Sequence, residues 1–374
     1  MKFLGIDLHS NIFTVGIWHL GDDMEKIILR TFYITKASMA LFFKLLDKET
    51  YVVVEASTNA FWFHDQIVKK VKECFVCTKN DKRSNKNKSD KIDTKDLTSQ
   101  LALYVMTGRN NKKILNPVYV PEKEVQELRS LFSSKKVLLK QKNQTKNRMH
   151  SIFKQNGICV TKKFLIDKTF ITEMTKMEID DVWKIQLKIF HDELASIEEA
   201  IDKIEKLILL KGEDHFSSKI KILITIRGIS NLIAIAIMTE IGNVDRFRTA
   251  KKFCSYLRSA PRVVGSNENI KIKSTNKSSR ATVVSLLTQS VLHLQEAGPY
   301  ISQFNNRLRR GKKCGTVRMA VIRKTLVAVY NMLKKNQKYY WTEESLVNKK
   351  KMDLIRELKK AKIFFYECLK NIAA

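Results

Sequence analysis

The chain of 374 residues carries 69 lysines and arginines against 38 aspartates and glutamates, a formal net charge of +31. This excess predicts a polyanionic partner, most simply nucleic acid. Four prolines and 12 glycines favour a helix-rich protein, and the length favours two or three domains. No apolar run approaches the ~20 residues of a membrane helix, and Asp7 interrupts the N-terminus where a signal peptide needs its apolar core. We therefore expect a cytoplasmic, nucleoid-associated protein with no membrane segment.

The six cysteines are scattered, and only Cys74 and Cys77 lie close together. On the strand expected there they would point to opposite faces, and no second pair completes a zinc site. Free thiols in a reducing cytoplasm are therefore expected. The chain also lacks the GxxxxGK[ST] phosphate loop, so its activity is expected to need no ATP.

Residues 1–112 are predicted to be an α/β domain. Three β-rich runs separated by turn signals predict a meander, followed by helix, strand, helix, strand and an acidic helix. In chain order the predicted runs are FLGIDLH, IFTVGIWHL, KIILRTFYI, a helix at 38–46, YVVVEAS, a helix at 59–72 and CFVCTK. This is the order expected for the ribonuclease-H topology.

Four carboxylates lie where a metal-dependent nuclease of that topology needs them. Asp7 stands near the end of the first strand, and Glu55 follows the valines of a later one. Asp90 and Asp93 share one face at the start of the acidic helix, while Asp96 is rotated further round it and is a lesser candidate. Singly, each acid could be a strand end or a solvated helix start. Together they would repel by about 4 kcal/mol per pair at ~4 Å, which favours a divalent cation, Mg²⁺ or Mn²⁺.

A lysine-dense segment, 79–91, precedes the acidic pair. Lys82, Arg83 and Lys88 are predicted to bind nucleic-acid phosphates, the alternative being a solvated loop.

Residues 113–211 are predicted to be helical. Apolar residues recur through 125–153 with lysines and arginines between them, and we expect nucleic acid to bind along these basic helices. From Trp183 to Ile208 apolar residues alternate steps of four and three, a heptad pattern typical of a coiled coil. A dimerising coil is the preferred interpretation, and a helical hairpin within one chain is the alternative.

Residues 212–374 form a third predicted region, also helical. Two apolar helices meet at Arg227-Gly228-Ile229-Ser230, a pattern similar to a helix–hairpin–helix whose glycine turn approaches a phosphate. Arg227 and Gly228 are therefore predicted to bind nucleic acid, although any short helical hairpin favours glycine there. Further helices are expected at 249–257, 277–294, 316–335 and 351–369.

The ordered set of motifs resembles one family over nearly the whole chain. GIDLHS, VVVEAS and KSDKIDTKDLTSQLA resemble the RuvC-like domain of the insertion-sequence one-ten family, the DEDD transposases related to Piv invertases and now known as bridge-RNA-guided recombinases. Its C-terminal transposase domain and that domain's trailing helices are similar to ITIRGISNLIAIAIMTEIGNVDRFRTAKKFCSYLRSAPRVVGS and GKKCGTVRMAVIRKTLVAVYNMLKKNQKYY.

The resemblance implies a serine nucleophile in the C-terminal domain. PRVVGSN places Ser266 at that serine, with Asn267 where glycine is usual. The basic segment that follows matches the family's lysine–glycine–asparagine stretch, with Thr275 replacing the glycine. Lys271, Lys273 and Arg280 of this segment are predicted to contact the phosphate.

The implied activity is Mg²⁺-dependent strand exchange between element ends and target DNA through a phosphoserine link. A noncoding guide RNA would pair with both DNAs. The implied assembly is a homodimer or homotetramer in which Ser266 of one subunit meets the acids of another. Two alternatives stay open: a junction endonuclease that uses water, and an inactive nucleic-acid-binding remnant.

Overall fold

The structure is a computed structural model that describes residues 1–23, 26–78, 90–109, 111, 113–264, 271–275 and 281–373. Within these ranges the side chains of residues 90, 262–264, 271–275 and 373 are not described. The chain divides into two compact units, Met1–Pro121 and Glu122–Ala374.

The first unit is an α/β unit with a six-stranded sheet. Its elements in chain order are β1 (Lys2–Leu8), β2 (Ile12–His19), β3 (Ile28–Tyr33), α1 (Lys36–Phe43), β4 (Thr50–Glu55), α2 (Ala60–Ile67), β5 (Glu73–Cys77), α3 (Asp90–Met106) and β6 (Pro117–Val118). The predicted succession of three strands, helix, strand, helix, strand and acidic helix is confirmed. β6 extends the sheet beyond the boundary predicted at residue 112.

The strand order is β3-β2-β1-β4-β5-β6. β1, β2 and β3 pair antiparallel as the predicted meander, whereas β4 lies parallel to β1, and β5 parallel to β4. Two apolar layers cover the faces of the sheet, one with α1 and α2 and the other with α3. Cys74 packs in the first layer and Cys77 in the second, as the alternation of a strand requires.

Helix α3 lies close to the sheet because two strand residues lack side chains. A Cβ on Gly5 would lie 2.6 Å from the backbone N of Thr98, and one on Gly16 would overlap Thr98 Oγ1. The Thr98 hydroxyl, fully buried, donates to Thr94 O at 2.8 Å and also faces Gly16 O. Glycine at these positions therefore sets the distance between helix and sheet.

The second unit is almost wholly helical. Its main elements are α4 (Lys123–Gln155), α5 (Phe170–Thr175), α6 (Asp181–Leu223), α7 (Asn231–Ile241), α8 (Ala250–Tyr256), β7 (Pro261–Val264), β8 (Lys271–Thr275), α9 (Thr282–Gln289), α10 (Val291–Leu294), α11 (Pro299–Arg309), α12 (Cys314–Lys335) and α13 (Glu344–Ala373). The helix predicted at 277–294 is two helices that meet at Ser290, and its residues 277–280 lie outside the described residues. The β7–β8 hairpin, α5 and α11 were not predicted, and α6 runs across the boundary predicted at residue 211.

The two longest of these helices, α4 and α6, form an antiparallel hairpin within the chain. Three ion pairs cross between them: Glu127–Lys211 at 2.9 Å, Lys135–Glu205 at 2.8 Å and Lys142–Glu198 at 2.7 Å. The heptad residues Leu187, Leu194, Ile197, Ile201 and Ile208 are buried in this one chain. The observed packing is therefore that of the intramolecular hairpin, the alternative to the preferred dimerising coil, and self-association stays a prediction.

Two apolar clusters stabilise the second unit. The larger joins the N-terminal half of α4 and the C-terminal part of α6 to helices α7 to α12 and the start of α13. The smaller lies where the C-terminal end of α4 meets α5 and the N-terminal part of α6. Among the described residues no helix is long and apolar enough to cross a membrane.

We expect Gly5→Ala to destabilise the first unit by about 1–3 kcal/mol, because the added methyl overlaps the backbone of α3 at Thr98. Hydrogen-exchange mass spectrometry on peptides of β1 and α3 measures this change. Gly315→Ala is the control, since a Cβ there would meet no atom within 4 Å.

A second substitution separates backbone from side-chain overlap. Thr98→Ala should relieve much of the cost of Gly16→Ala, whose nearest neighbour is the Thr98 hydroxyl, but not that of Gly5→Ala. Equal rescue of both glycine variants would show that the helix backbone does not set the spacing.

Candidate functional site

The two strand carboxylates lie at the ends of adjacent parallel strands. The β1–β4 register ends at Ile6↔Val54, so Asp7 and Glu55 are the next residues on each strand. Neighbouring strands lie about 4.8 Å apart, and residues at the same level point to the same face. Asp7 is 8% exposed and Glu55 is half-buried. The prediction that strand order brings these two acids together agrees with this geometry.

The acidic end of α3 lies toward the same end of the sheet. Thr98 packs over Gly5, while Leu101 belongs to the same cluster as Phe3 at the start of β1. The helix therefore runs back along β1, and Asp93, half-buried, lies about 7.5 Å from Thr98 along the helix axis. That distance is close to the roughly 6.6 Å that separates Gly5 from the following Asp7 along the strand.

The described side chains do not form a complete metal site. Among them, no group of three histidines, cysteines, aspartates or glutamates lies close enough to hold a metal ion. Asp90 is the first residue of α3, but its side chain is not among those described. Carboxylates at adjacent strand ends are the right donor type for a hard cation, so the residues present fit such an ion in chemistry.

The structure adds to this cluster a histidine that was not predicted from the sequence. His9 Nε2 lies 3.5 Å from Asp7 Oδ2, and the His9 carbonyl accepts a hydrogen bond from Asn59 Nδ2 at 3.0 Å. Asn59 Oδ1 in turn accepts from the Ser57 hydroxyl at 2.9 Å. The segments that follow β1 and β4 are thus bonded together beside the acids. The spacing Asp-Leu-His in GIDLHS was the available signal.

Several predicted site residues fall outside this geometry. Those that lie outside the described residues are Lys82, Arg83, Lys88, Ser266, Asn267 and Arg280. The β8 strand contains Lys271, Lys273 and Thr275, described only as backbone, with Lys273 opposite Arg262 of β7. Their predicted roles stay predictions.

The glycine turn between α6 and α7 is present as predicted. Gly228 has φ +86°, and a Cβ there would lie 2.9 Å from Leu294 N, so the turn packs closely against α10. The Arg227 guanidinium pairs with Glu296 at 2.8 Å and with Glu343 at 3.2 Å. A phosphate at this turn would have to compete with both carboxylates.

A cavity of about 860 Å³ opens beside this turn, lined by Arg227, Ser230, His293, Glu343 and Lys350 among other residues. Lys350 Nζ donates to Ile224 O at 2.6 Å and to Ile226 O at 2.9 Å, where α6 ends. Burial lowers the pKa of Lys350 to about 8, and Glu343 opposes this shift only in part.

The glycine turn and the helices after it match a known family. Residues 220–306, from the last turn of α6 into α11, match the model described as Transposase IS116/IS110/IS902 family. This match supports the assignment of the chain to that transposase family. No curated protein matches the transposase.

Lys350 lies in α13, after the matched segment. Its two hydrogen bonds hold the backbone just after α6, near the start of that segment. Between pH 8 and 10.5 the unfolded transposase binds a proton at Lys350 that the folded one has lost. The contribution of this group to stability therefore rises with pH in that window.

We expect the free energy of unfolding of Lys350→Met, relative to the unsubstituted transposase, to fall as pH rises from 8 to 10. Urea unfolding at each pH measures this difference. Lys349→Met is the matched control, an exposed neighbour on the same helix. A difference that does not vary with pH would mean that Lys350 titrates as an ordinary lysine.

Proposed function

We propose that this insertion-sequence transposase cleaves and exchanges DNA strands with two sets of residues: an acid cluster in the first unit and a serine in the second. The observation that carries the proposal is the placement of Asp7 and Glu55 at adjacent parallel strand ends, under the acidic end of α3. The strand order β3-β2-β1-β4-β5 is also the order expected for a ribonuclease-H-like, RuvC-like domain.

In this proposal Asp7, Glu55, Asp90 and Asp93 hold Mg²⁺, or Mn²⁺, through carboxylate oxygens. The ion would polarise the scissile phosphate and stabilise charge on the leaving oxygen. Asp7 is well suited to a fixed ligand, because it is buried in β1 and its strand is paired on both sides. His9 would orient the Asp7 carboxylate from the solvent side.

The covalent step is assigned to Ser266. Its oxygen would bond to phosphorus as the bond from phosphorus to a deoxyribose oxygen breaks, and the hydroxyl proton would pass to the leaving oxygen. One phosphodiester replaces another, so the link can be reversed for rejoining without ATP. Lys271, Lys273 and Arg280 lie near Ser266 in sequence and would stabilise charge on the phosphate.

The basic surface of α4 supports nucleic-acid binding by the same protein. From residue 128 to 166 the chain has ten lysines and arginines and no acid. Lys136, Lys140, Asn147 and Lys154 are exposed along this segment, at steps that keep them near one face. A guide RNA, if the transposase uses one, and DNA could both bind here, since the contacts would be to phosphates.

We expect Asp7→Asn, Glu55→Gln and Asp93→Asn each to lower DNA cleavage at least a hundredfold, about 2.7 kcal/mol of transition-state stabilisation. Each change removes an ion ligand at constant size, so DNA binding should persist. Mn²⁺ binding, followed by electron paramagnetic resonance, should weaken in parallel. Asp22→Asn, an exposed acid of the same unit, is the control. Cleavage at the unsubstituted rate by any of the three would remove that residue from the site.

We expect Ser266 to become covalently joined to DNA, and Ser266→Ala to retain DNA binding while losing strand exchange. A suicide substrate nicked near the cleavage site, a denaturing gel and peptide mapping provide the measurement. An adduct that survives Ser266→Ala would place the nucleophile elsewhere. Cleavage without any adduct would favour the junction endonuclease, which shares the acid cluster and uses water.

A further inference from the structure

A second acid-free stretch lies in the C-terminal part of the chain, separate in sequence from the residues of both proposed catalytic centres. Residues 297–342 contain eleven lysines and arginines and neither aspartate nor glutamate. Six of these cations cluster around the connection between α11 and α12, just beyond the segment that matches the family. We call them the loop patch: Arg307, Arg309, Arg310, Lys312, Lys313 and Arg318.

All six side chains of the loop patch are exposed. Among the described residues, no carboxylate forms an ion pair with any of them, and Arg309 Nη2 donates instead to the neutral Gln295 Oε1 at 3.2 Å. Several exposed lysines elsewhere in the unit are paired with carboxylates, for example Lys203 with Glu199 at 2.6 Å. The loop patch therefore presents concentrated positive charge that the described part of this unit does not itself neutralise.

The loop patch is also held in place. Ile301 of α11 and Val317 of α12 are each 1% exposed, so both helices are anchored close to the loop. Lys312 N donates to Leu308 O at 3.1 Å, and Val317 N donates to Lys313 O at 3.1 Å. These two hydrogen bonds hold the backbone at the end of α11 and at the start of α12. Because the positions are fixed by folding, a partner would meet preorganised cations rather than a random tail.

Two glycines leave the backbone of this region open. A Cβ on Gly311 or on Gly315 would meet no atom within 4 Å. Positions without side chains between cations allow a polymer backbone to approach the chain closely, as phosphates do in protein–DNA contacts.

We propose that the loop patch binds the sugar–phosphate backbone of duplex DNA and reads no bases. Exposed lysine and arginine side chains around the turn match the charge of phosphates, and the open backbone at Gly311 and Gly315 favours contacts to the sugar–phosphate chain. The inference rests on the proposed function, because DNA is the polyanion on which a transposase acts.

The test is a triple substitution, Arg310→Gln, Lys312→Gln and Lys313→Gln, which removes three charges and keeps the hydrogen bond from Arg309 to Gln295. Its matched control is Lys176→Gln, Lys203→Gln and Lys360→Gln, the same charge loss at exposed lysines of the same unit that are paired with glutamates. Fluorescence anisotropy follows binding to two duplexes of unrelated sequence, each of about 30 base pairs, between about 50 and 300 mM salt, where phosphate contacts show their salt dependence.

The loop-patch variant should bind both duplexes about tenfold more weakly at ~0.1 M salt, while the control should change less than about twofold. The slope of log K against log salt should fall by about 2 to 3 in magnitude, near 0.9 for each phosphate that the variant no longer neutralises. Equal weakening in both variants would overturn the proposal, because net charge alone would then explain it. A loss confined to one duplex, or to an RNA duplex of the same length, would overturn it as well.

A labelling experiment tests the proposal independently of whether the triple variant folds. Acetylation of Lys312 and Lys313 in the unsubstituted protein, mapped by mass spectrometry, should fall when duplex DNA is added, and unchanged labelling counts against the proposal even if the triple variant unfolds. Failure of the unsubstituted protein to bind any duplex would refute DNA handling and the proposed function with it. Binding that is identical in variant and control would refute only the loop patch.

Discussion

The contact between Thr98 and the glycines of the first two strands governs how the first unit is put together. A helix that packs on a sheet is normally held off by strand side chains, but Gly5 and Gly16 leave room for α3 to lie against the strand backbone itself. This close packing fixes the distance of α3 from the sheet and its orientation on the sheet. Asp93 lies on that helix and Asp7 on β1. The distance between the two acids therefore depends on the lack of side chains at Gly5 and Gly16.

Burial of charge is a second constraint on the same region. Asp7 lies in an apolar sheet where an isolated carboxylate would be costly to desolvate. The nearby imidazole of His9 and the hydrogen-bonded segment after β4 make part of its surroundings polar. The carboxylates of this cluster are suited in donor type to a hard cation.

Much of this arrangement could be predicted from sequence because it depends on local pattern. The succession of strands and helices in the first unit, the two strand acids and the glycine turn at Gly228 all follow from alternation, turn residues and spacing. The partner of the α6 heptad could not be predicted, since a seam of Leu194 and Ile201 has the same pattern whether it meets α4 or another chain. The ion pairs between α4 and α6 depend on tertiary register, which periodicity within one helix does not contain. The double contact of Arg227 with Glu296 and Glu343 depends on residues far apart in the chain for the same reason.

The helical hairpin also has a consequence for how the second unit fluctuates. α4 and the part of α6 before its kink at Phe216 are each about 50 Å long, and each apolar cluster occupies one end of the pair. The smaller cluster has its own aromatic core of Phe153, Phe164 and Phe170, and ion pairs bridge the stretch between the clusters. The two clusters share no residue, so we expect the two ends to open as separate cooperative units. The tip of the hairpin is then expected to open and close while the domain that carries the family match stays folded.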